Sequence, residues 1–316
     1  MNAVAKRETG LVIADSARQF NAVPGVIRAQ EWIGWIPLVA LPLAVLAFRD
    51  ALPAWVFMWL LAAGIFAGFK WQTWWAAPAA RRSRNWRRTL AYLLLWPGMD
   101  ADEFFEPRRT DRRVAARQWL AAIGKTLAGA TLTWAAAREI VSTHPMLAGW
   151  IAMIGLVLVL HFGTFQLIAL AWQRVGIHAA PIMRRPLASQ SLGEFWGKRW
   201  NLGFRKLSHA LVFRPLQKRF GTATGTLGAF LASGLIHDLV ISVPARAGYG
   251  LPTAYFVLQG LGALAERSGV GRRLGLGCGV RGRLWIALIA VGPVPLLFHP
   301  WFVMRVMVPF LRAIAG

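Results

Sequence analysis

Five polar positions stand out in an otherwise apolar chain: Lys125, His161, Asn201, the pair His237-Asp238, and His299. His237 lies in the middle of the run Thr226-Leu-Gly-Ala-Phe-Leu-Ala-Ser-Gly-Leu-Ile-His-Asp-Leu-Val-Ile-Ser-Val243. An imidazole takes or gives a proton near neutral pH. An ionisable group deep in an apolar segment faces a water-filled cavity or a partner. Asp238 points roughly 100° away from His237 on a helix, so it is not expected to bond the imidazole directly. Ser233 and Gly234 lie one turn earlier and leave room for a substrate or for another helix. The residues alone leave two readings open: a histidine that works in a buried site, or one that packs between helices and bonds a neighbour.

The second signal is Ser189-Gln-Ser-Leu-Gly-Glu-Phe-Trp-Gly-Lys-Arg-Trp-Asn-Leu-Gly-Phe-Arg-Lys206. Ser191 and Glu194 have capping-box spacing, which starts a helix. On that helix Glu194, Lys198 and Asn201 share one face, and Phe195, Trp196, Arg199 and Trp200 cover the rest. Such a helix either lies in a membrane interface or brings Asn201 to the mouth of a buried site. The following segment, 204–220, mixes apolar and basic residues. Its charges either follow the orientation rule for membrane loops or grip the phosphates of an anionic cosubstrate.

The remaining polar positions carry less. His161 is expected to pack between helices, His299 to serve the turn before Pro300, and Lys125 to reach for the interface. His144, His178 and His209 are given no role. Walker A, H-E-x-x-H and cysteine-cluster patterns are absent, so neither a metal site nor a bound cofactor is expected. The glycines of 271–279 follow no strand and do not suggest a dinucleotide site.

These groups need elements to hold them, and composition says which. Of 316 residues 56% are hydrophobic and only 16% charged, well short of the charge that a soluble surface needs. Lys+Arg number 36 against 13 Asp+Glu, a net charge of +23. The basic residues lie between long apolar runs rather than on one water-exposed face, which argues against nucleic acid as a partner. The single cysteine, Cys278, excludes an intrachain disulfide. Apolar runs near bilayer length fall at 32–49, 53–69, 119–137, 147–172, 226–243, 251–265, 284–298 and 300–314. Leu11-Val12-Ile13-Ala14 is too short for a signal-peptide core, so the first run is expected to remain as an anchor.

Charge sorts the loops. Arg81, Arg82, Arg84, Arg87 and Arg88 fall in one loop, and Arg108, Arg109, Arg112, Arg113 and Arg117 in the next. Loops 173–225 and 266–283 are also basic, whereas the opposite side holds only Arg49, Arg138 and Arg246. The positive-inside rule then puts both termini in the cytoplasm, with eight crossings. Residues 89–97 are apolar but lie between two basic loops, so they are expected to form a re-entrant or interfacial segment ending at Pro97-Gly98. The expected fold is an all-α integral membrane protein of about eight transmembrane helices, with 1–316 as one polytopic domain.

Two of these segments together are similar to a known family. Ser191-Leu-Gly-Glu-Phe-Trp-Gly-Lys-Arg-Trp-Asn201 resembles the S-L-x-[DE]-F-W-G-R-R-W-N motif of the wax synthase-like branch of membrane-bound O-acyltransferases. Ser233-Gly-Leu-Ile-His-Asp238 resembles that branch's S-G-x-x-H-[ED] motif, and the order of the two is the same. Tyr255-Phe-Val-Leu-Gln-Gly260 with Glu266 is similar to a weaker third motif, and Trp96-Pro-Gly-Met-Asp100 to a segment of bacterial members. The resemblance covers about 185–268, the expected catalytic region. Lys198 stands where arginine is usual, and Asp238 where glutamate is common.

The resemblance implies an all-helical fold with a tunnel, entered by acyl-CoA from the cytoplasm and by an alcohol from the membrane or the other face. It implies transfer of an acyl group from acyl-CoA, as cosubstrate, to the alcohol's hydroxyl. His237 corresponds to the family's general base and Asn201 to its second conserved polar position. Trp196, Arg199, Trp200, Ser233 and Glu194 are the expected substrate-binding residues. The chemistry fits: ester formation needs a base for the hydroxyl and a donor for the tetrahedral oxyanion. Two other readings remain. The acceptor is instead a small polar molecule, a glycan or a secondary metabolite; or the chain is a transporter or flippase, although repeated halves are not evident. The expected location is a bacterial cytoplasmic membrane rather than the endoplasmic reticulum.

Overall fold

A computed structural model describes residues 32–106 and 114–315. Residues 1–31 and the arginines Arg108, Arg109, Arg112 and Arg113 lie outside the described residues, and so does the expected placement of the N-terminus. Among the described residues every regular element is helical.

Helices α1 (Ile36–Leu46) and α2 (Ala54–Ala76) form a tight hairpin. Its closeness depends on small residues: a Cβ on Gly64 would sit 3.5 Å from the Leu41 backbone, and Gly68 packs directly on Leu38. A short α3 (Pro78–Arg82) leads to α4 (Trp86–Leu95). The Asn85 side chain caps α4 by accepting from the Arg88 amide at 3.1 Å. With 10 residues α4 is too short to cross a bilayer. It ends in a non-helical strap, residues 96–100. Asp100 then caps α5 (Ala101–Phe105). Tyr92, Trp96, Phe104 and Phe105 pack this unit into a small core with Ala77 and Ala169.

Helix α6 (Ala116–Ala130) continues through a π turn, Thr131–Ala136, into Ala137–Ile140. It packs closely on α7 (Pro145–Arg174) at Gly129, where a Cβ would sit only 2.5 Å from the Gly155 carbonyl oxygen. Next comes α8, a turn at Leu192–Glu194 that widens into a π turn at Phe195–Arg199. Helix α9 (Leu202–Ala245) is one helical run broken at Gly221, where φ is 86° and ψ is 170°. Glycine suits that left-handed φ because it has no Cβ to clash. The break lets the two arms lie back to back: a Cβ on Gly225 would sit 2.8 Å from the Phe213 carbonyl oxygen. Thus much of what reads in sequence as a basic loop, 173–225, is the first arm of a helical hairpin.

Helix α10 (Leu251–Arg267), a short α11 (Gly269–Arg273) and α12 (Gly279–Leu297) follow. The chain closes with α13, which runs from Pro300–Phe302 through Val303–Met307 to Val308–Ala315. The largest core joins α2, α7, α9, α10 and α13 through Met58, Met153, Ile241, Phe256, Val303 and Met307.

Among the described residues four helices, α2, α7, α9 and α12, are long and apolar enough to cross a membrane. The other expected spans are helical too. Among them α1 has 11 residues and α10 has 17, at or below the usual crossing length. The chain is an all-α membrane protein in which four of the eight expected crossings meet that length and hydropathy.

Candidate functional site

The second arm of α9 carries His237. Its Nδ1 lies 2.7 Å from the Ser233 carbonyl oxygen. A carbonyl only accepts, so Nδ1 holds a proton, and in the neutral form of the ring Nε2 is then the unprotonated nitrogen. No other hydrogen bond reaches the ring among the described residues. Ser233 thus contributes its backbone to His237 rather than its hydroxyl. The imidazole leans on the Phe256 ring, with centroids 4.3 Å apart and planes at 40°.

Phe256 comes from α10, and Asp238 holds α10 in place. Its Oδ1 accepts from the Ser242 hydroxyl at 2.7 Å and from the Gly250 amide at 2.9 Å. Its Oδ2 accepts from the Thr253 amide at 3.1 Å and from the Thr253 hydroxyl. The carboxylate therefore caps the start of α10, where unpaired amides favour negative charge. Gly234 permits the approach: its Cβ would sit 2.7 Å from Thr253 Cα. Buried His299 joins the same side, with Nε2 3.4 Å from the Ser242 hydroxyl and Nδ1 accepting from the Phe302 amide at 3.1 Å. His299 does serve the turn before α13, as its place ahead of Pro300 suggests.

Helix α8 approaches from the other side. Trp196 lies 5.8 Å from both Phe230 and Phe256, edge-on to the first, and its indole N–H donates to Gln259 at 3.3 Å. Trp196 and His237 therefore share Phe256. The turn is anchored at its start twice. Ser191 accepts from the Glu194 amide at 2.9 Å, and buried Glu266 accepts from the Leu192 amide at 2.6 Å. Glu194 and Arg199 are occupied with each other and with backbone. Arg199 donates to Glu194 Oε1 at 2.5 and 2.8 Å, and its remaining nitrogen reaches the carbonyls of Arg184 and Arg185. The Gln190 amide and then Arg199 hold the Glu194 carboxyl below its ordinary pKa.

The helix expected to run through Asn201 stops earlier. The Trp200 amide closes on Phe195, Trp200 is extended, and Asn201 is left-handed at φ 42° and ψ 55°. Glu194, Lys198 and Asn201 therefore do not share one helical face. Asparagine tolerates this conformation better than most residues. It is held by the Asn201 amide on Met183 Sδ (3.2 Å) and the Leu202 amide on the Ile182 carbonyl (2.8 Å). Trp200 stacks on Phe195 at 5.4 Å and meets Phe162 edge-on at 6.2 Å. Among the described residues no hydrogen bond joins Asn201 to His237.

Beside the start of α9 opens a cavity of about 300 Å³. Arg184, Lys198, Arg205 and Lys206 line it together with Asp100 and Glu103. Lys206 donates to both Asp100 oxygens at 2.9 Å. Glu103 pairs with His178. Burial, and then Asp100, raise the Glu103 carboxyl above its ordinary pKa, against the pull of His178.

Lys125 lies over the Phe162 ring at 5.8 Å. His161 packs on Phe165 with a buried, unpaired Nδ1. Lys70, buried on α2 with its Nζ donating to the Gly98 carbonyl at 2.7 Å, carries no signal of its own in the sequence. Lys70 falls just past the end of the run at 53–69, where it reads as an ordinary helix end. Among the described residues no group of three or more His, Cys, Asp or Glu is placed to hold a metal ion.

Residues 179–258 match the model of the membrane bound O-acyl transferase family. The stretch includes α8, Asn201, His237 and Phe256. A probable long-chain-alcohol O-fatty-acyltransferase 7 of Arabidopsis thaliana is 29% identical over 104 residues, 29% of this chain and 30% of that protein. A long-chain-alcohol O-fatty-acyltransferase of Simmondsia chinensis is 28% identical over 129 residues, 37% of each chain. An acyl-CoA–sterol O-acyltransferase 1 of Arabidopsis thaliana is 30% identical over 67 residues, 19% of each. The chain thus spans 30% and 37% of the lengths of the first two relatives. Over its motif-bearing region the chain is therefore similar to the membrane bound O-acyl transferase family and to long-chain-alcohol O-fatty-acyltransferases.

Proposed function

We propose that this protein transfers an acyl group from acyl-CoA to the hydroxyl of a lipidic alcohol, with His237 as general base. The observation that carries the reading is the Nδ1–Ser233 carbonyl bond, which leaves Nε2 as an acceptor inside a family-matched segment. The alcohol oxygen attacks the thioester carbonyl while Nε2 takes the hydroxyl proton. The tetrahedral intermediate collapses, the C–S bond breaks, and the proton passes to the departing thiolate. The products are an ester and free CoA.

Asn201 is the proposed donor to the oxyanion, worth about 3–4 kcal/mol where such a donor has been measured. Trp196, Trp200 and Ser233 line the acyl and alcohol path in this reading. Glu194 and Arg199 hold α8 in shape beside it. The cavity with Arg184, Lys198, Arg205 and Lys206 suits the phosphates of the donor. The basic loops face the cytoplasm, as the positive-inside rule requires, here on the inner side of a bacterial cytoplasmic membrane. The names of the relatives favour long-chain alcohols, with a sterol as the second acceptor class to try.

The test is release of CoA thiol from acyl-CoAs of several lengths by the purified protein, with and without a long-chain alcohol or a sterol. Release that depends on the acceptor, and that vanishes in a folded His237→Ala protein, is expected. Wild-type-like turnover in that variant would sink the mechanism. Acceptor-independent binding or transport without thiol release would point to a carrier instead.

A further inference from the structure

Lys70 sits on α2, inside a helix long enough to cross the membrane, and is 1% exposed. A buried ionisable group there is costly and is kept for a reason. Its Nζ donates to the Gly98 carbonyl at 2.7 Å and lies 3.2 Å from the centroid of the Tyr92 ring. Tyr92 is itself fully buried, with its hydroxyl 2.8 Å from Thr73 on the same helix. Among the described residues no carboxylate is in ion-pair range of Lys70. The lysine is thus spent on one backbone carbonyl and one aromatic face.

That carbonyl belongs to the strap 96–100, which has no helix or strand of its own. The strap is shaped to present it: a Cβ on Gly98 would sit 2.5 Å from the Trp96 indole nitrogen. Downstream, the strap braces the first turns of α9. The Pro97 carbonyl oxygen would be 3.6 Å from a Cβ on Gly203, and Asp100 takes the Lys206 ammonium on both oxygens. Helix α9 begins at Leu202, immediately after left-handed Asn201. Ile182 and Met183 pin Asn201 and Leu202 from the other flank. The start of α9 is therefore clamped between two non-helical segments, and Lys70 secures one of them from within the membrane domain.

We propose that Lys70 is a positioning residue for Asn201, acting through the Gly98 carbonyl, the 96–100 strap and the Gly203–Lys206 turn. The role in turnover rests on the acyl-transfer reading above; the mechanical link does not.

The experiment uses the full chain in detergent and compares wild type, Lys70→Met, Asn201→Gly and the double variant. Hydrogen exchange over 96–100 and 201–206 is read alongside acceptor-dependent CoA release. Lys70→Met is expected to speed exchange in both segments and to lower kcat about 10-fold, the scale of a sub-ångström misplacement, with a smaller change in KM for acyl-CoA. In the Asn201→Gly background the same substitution should cost less than about 2-fold. Unchanged exchange over 201–206, or a kcat loss that simply multiplies with that of Asn201→Gly, would overturn the proposal. If Lys70→Met does not fold, Lys70→Leu, which also removes the donor, and Gly98→Ala, which disturbs the strap from its other end, are read by the same two criteria. If wild type releases no CoA with any pair of substrates, the acyl-transfer reading fails, while the exchange result still decides the link from Lys70 to Asn201.

Discussion

His237 and Phe256 lie ring against ring, 4.3 Å between centroids, although they belong to different helices. The ring that steadies the imidazole comes from α10, so the geometry of the base depends on how α10 is docked. Phe256→Leu should keep the fold, free the imidazole to rotate and lower kcat more than it raises KM. Phe256→Ala should in addition destabilise the protein by roughly 3–5 kcal/mol, as for other buried phenylalanines. Steady-state kinetics and thermal unfolding in detergent check the pair.

Docking of α10 is set by Asp238. Its carboxylate accepts four hydrogen bonds from Ser242, Gly250 and Thr253 and none from His237. Asp238→Ala should therefore lower stability by about 2–3 kcal/mol, the scale of bonds to a charged acceptor. Asp238→Glu, which has the same charge but a longer reach, should recover part of it. A stability unchanged in Asp238→Ala would mean that the cap does not hold α10.

Asn201 separates backbone from side chain. A residue other than glycine or asparagine pays about 1–2 kcal/mol for the left-handed conformation. Asn201→Gly keeps the conformation and removes only the amide, whereas Asn201→Ala does both. If the amide serves the oxyanion, both variants lose about 10²-fold or more in turnover, and Asn201→Ala is the less stable. Wild-type turnover in Asn201→Gly would reduce Asn201 to a turn residue.

The Glu194 contacts make an acid-side prediction. Because the folded-state pKa is depressed by Gln190 and Arg199, the stabilisation is complete above the unfolded value of about 4.3. It is lost as pH falls through the lower folded value. Wild type should thus show a constant contribution from pH 5 to 8 and a decline below about pH 4. Glu194→Gln should start lower and show less of that decline. Unfolding midpoints measured across this range in both proteins test it.

Much of the site was legible in the chain because its signals are local. Ser191 and Glu194 stand at capping distance, and the structure forms that cap. His237 stands out because a polar residue in a long apolar run is conspicuous whatever surrounds it. All-helical character follows from the same apolar runs, and the family resemblance from two short strings.

What the chain alone did not decide depends on contacts between distant segments. Glu194, Lys198 and Asn201 have helical spacing, yet Ile182 and Met183 capture the backbone at 201–202 and break the helix there. Residues 204–220 read as surface charge, yet one left-handed glycine at 221 folds them against the rest of α9. Lys70 looks like a helix end until the strap 96–100 closes over it. The sequence by itself determined the local periodicity, the caps and the rare polar groups, because these depend on neighbours in the chain. Only the tertiary structure decided which carbonyl each polar group answers, because a buried donor must find its acceptor wherever packing brings one.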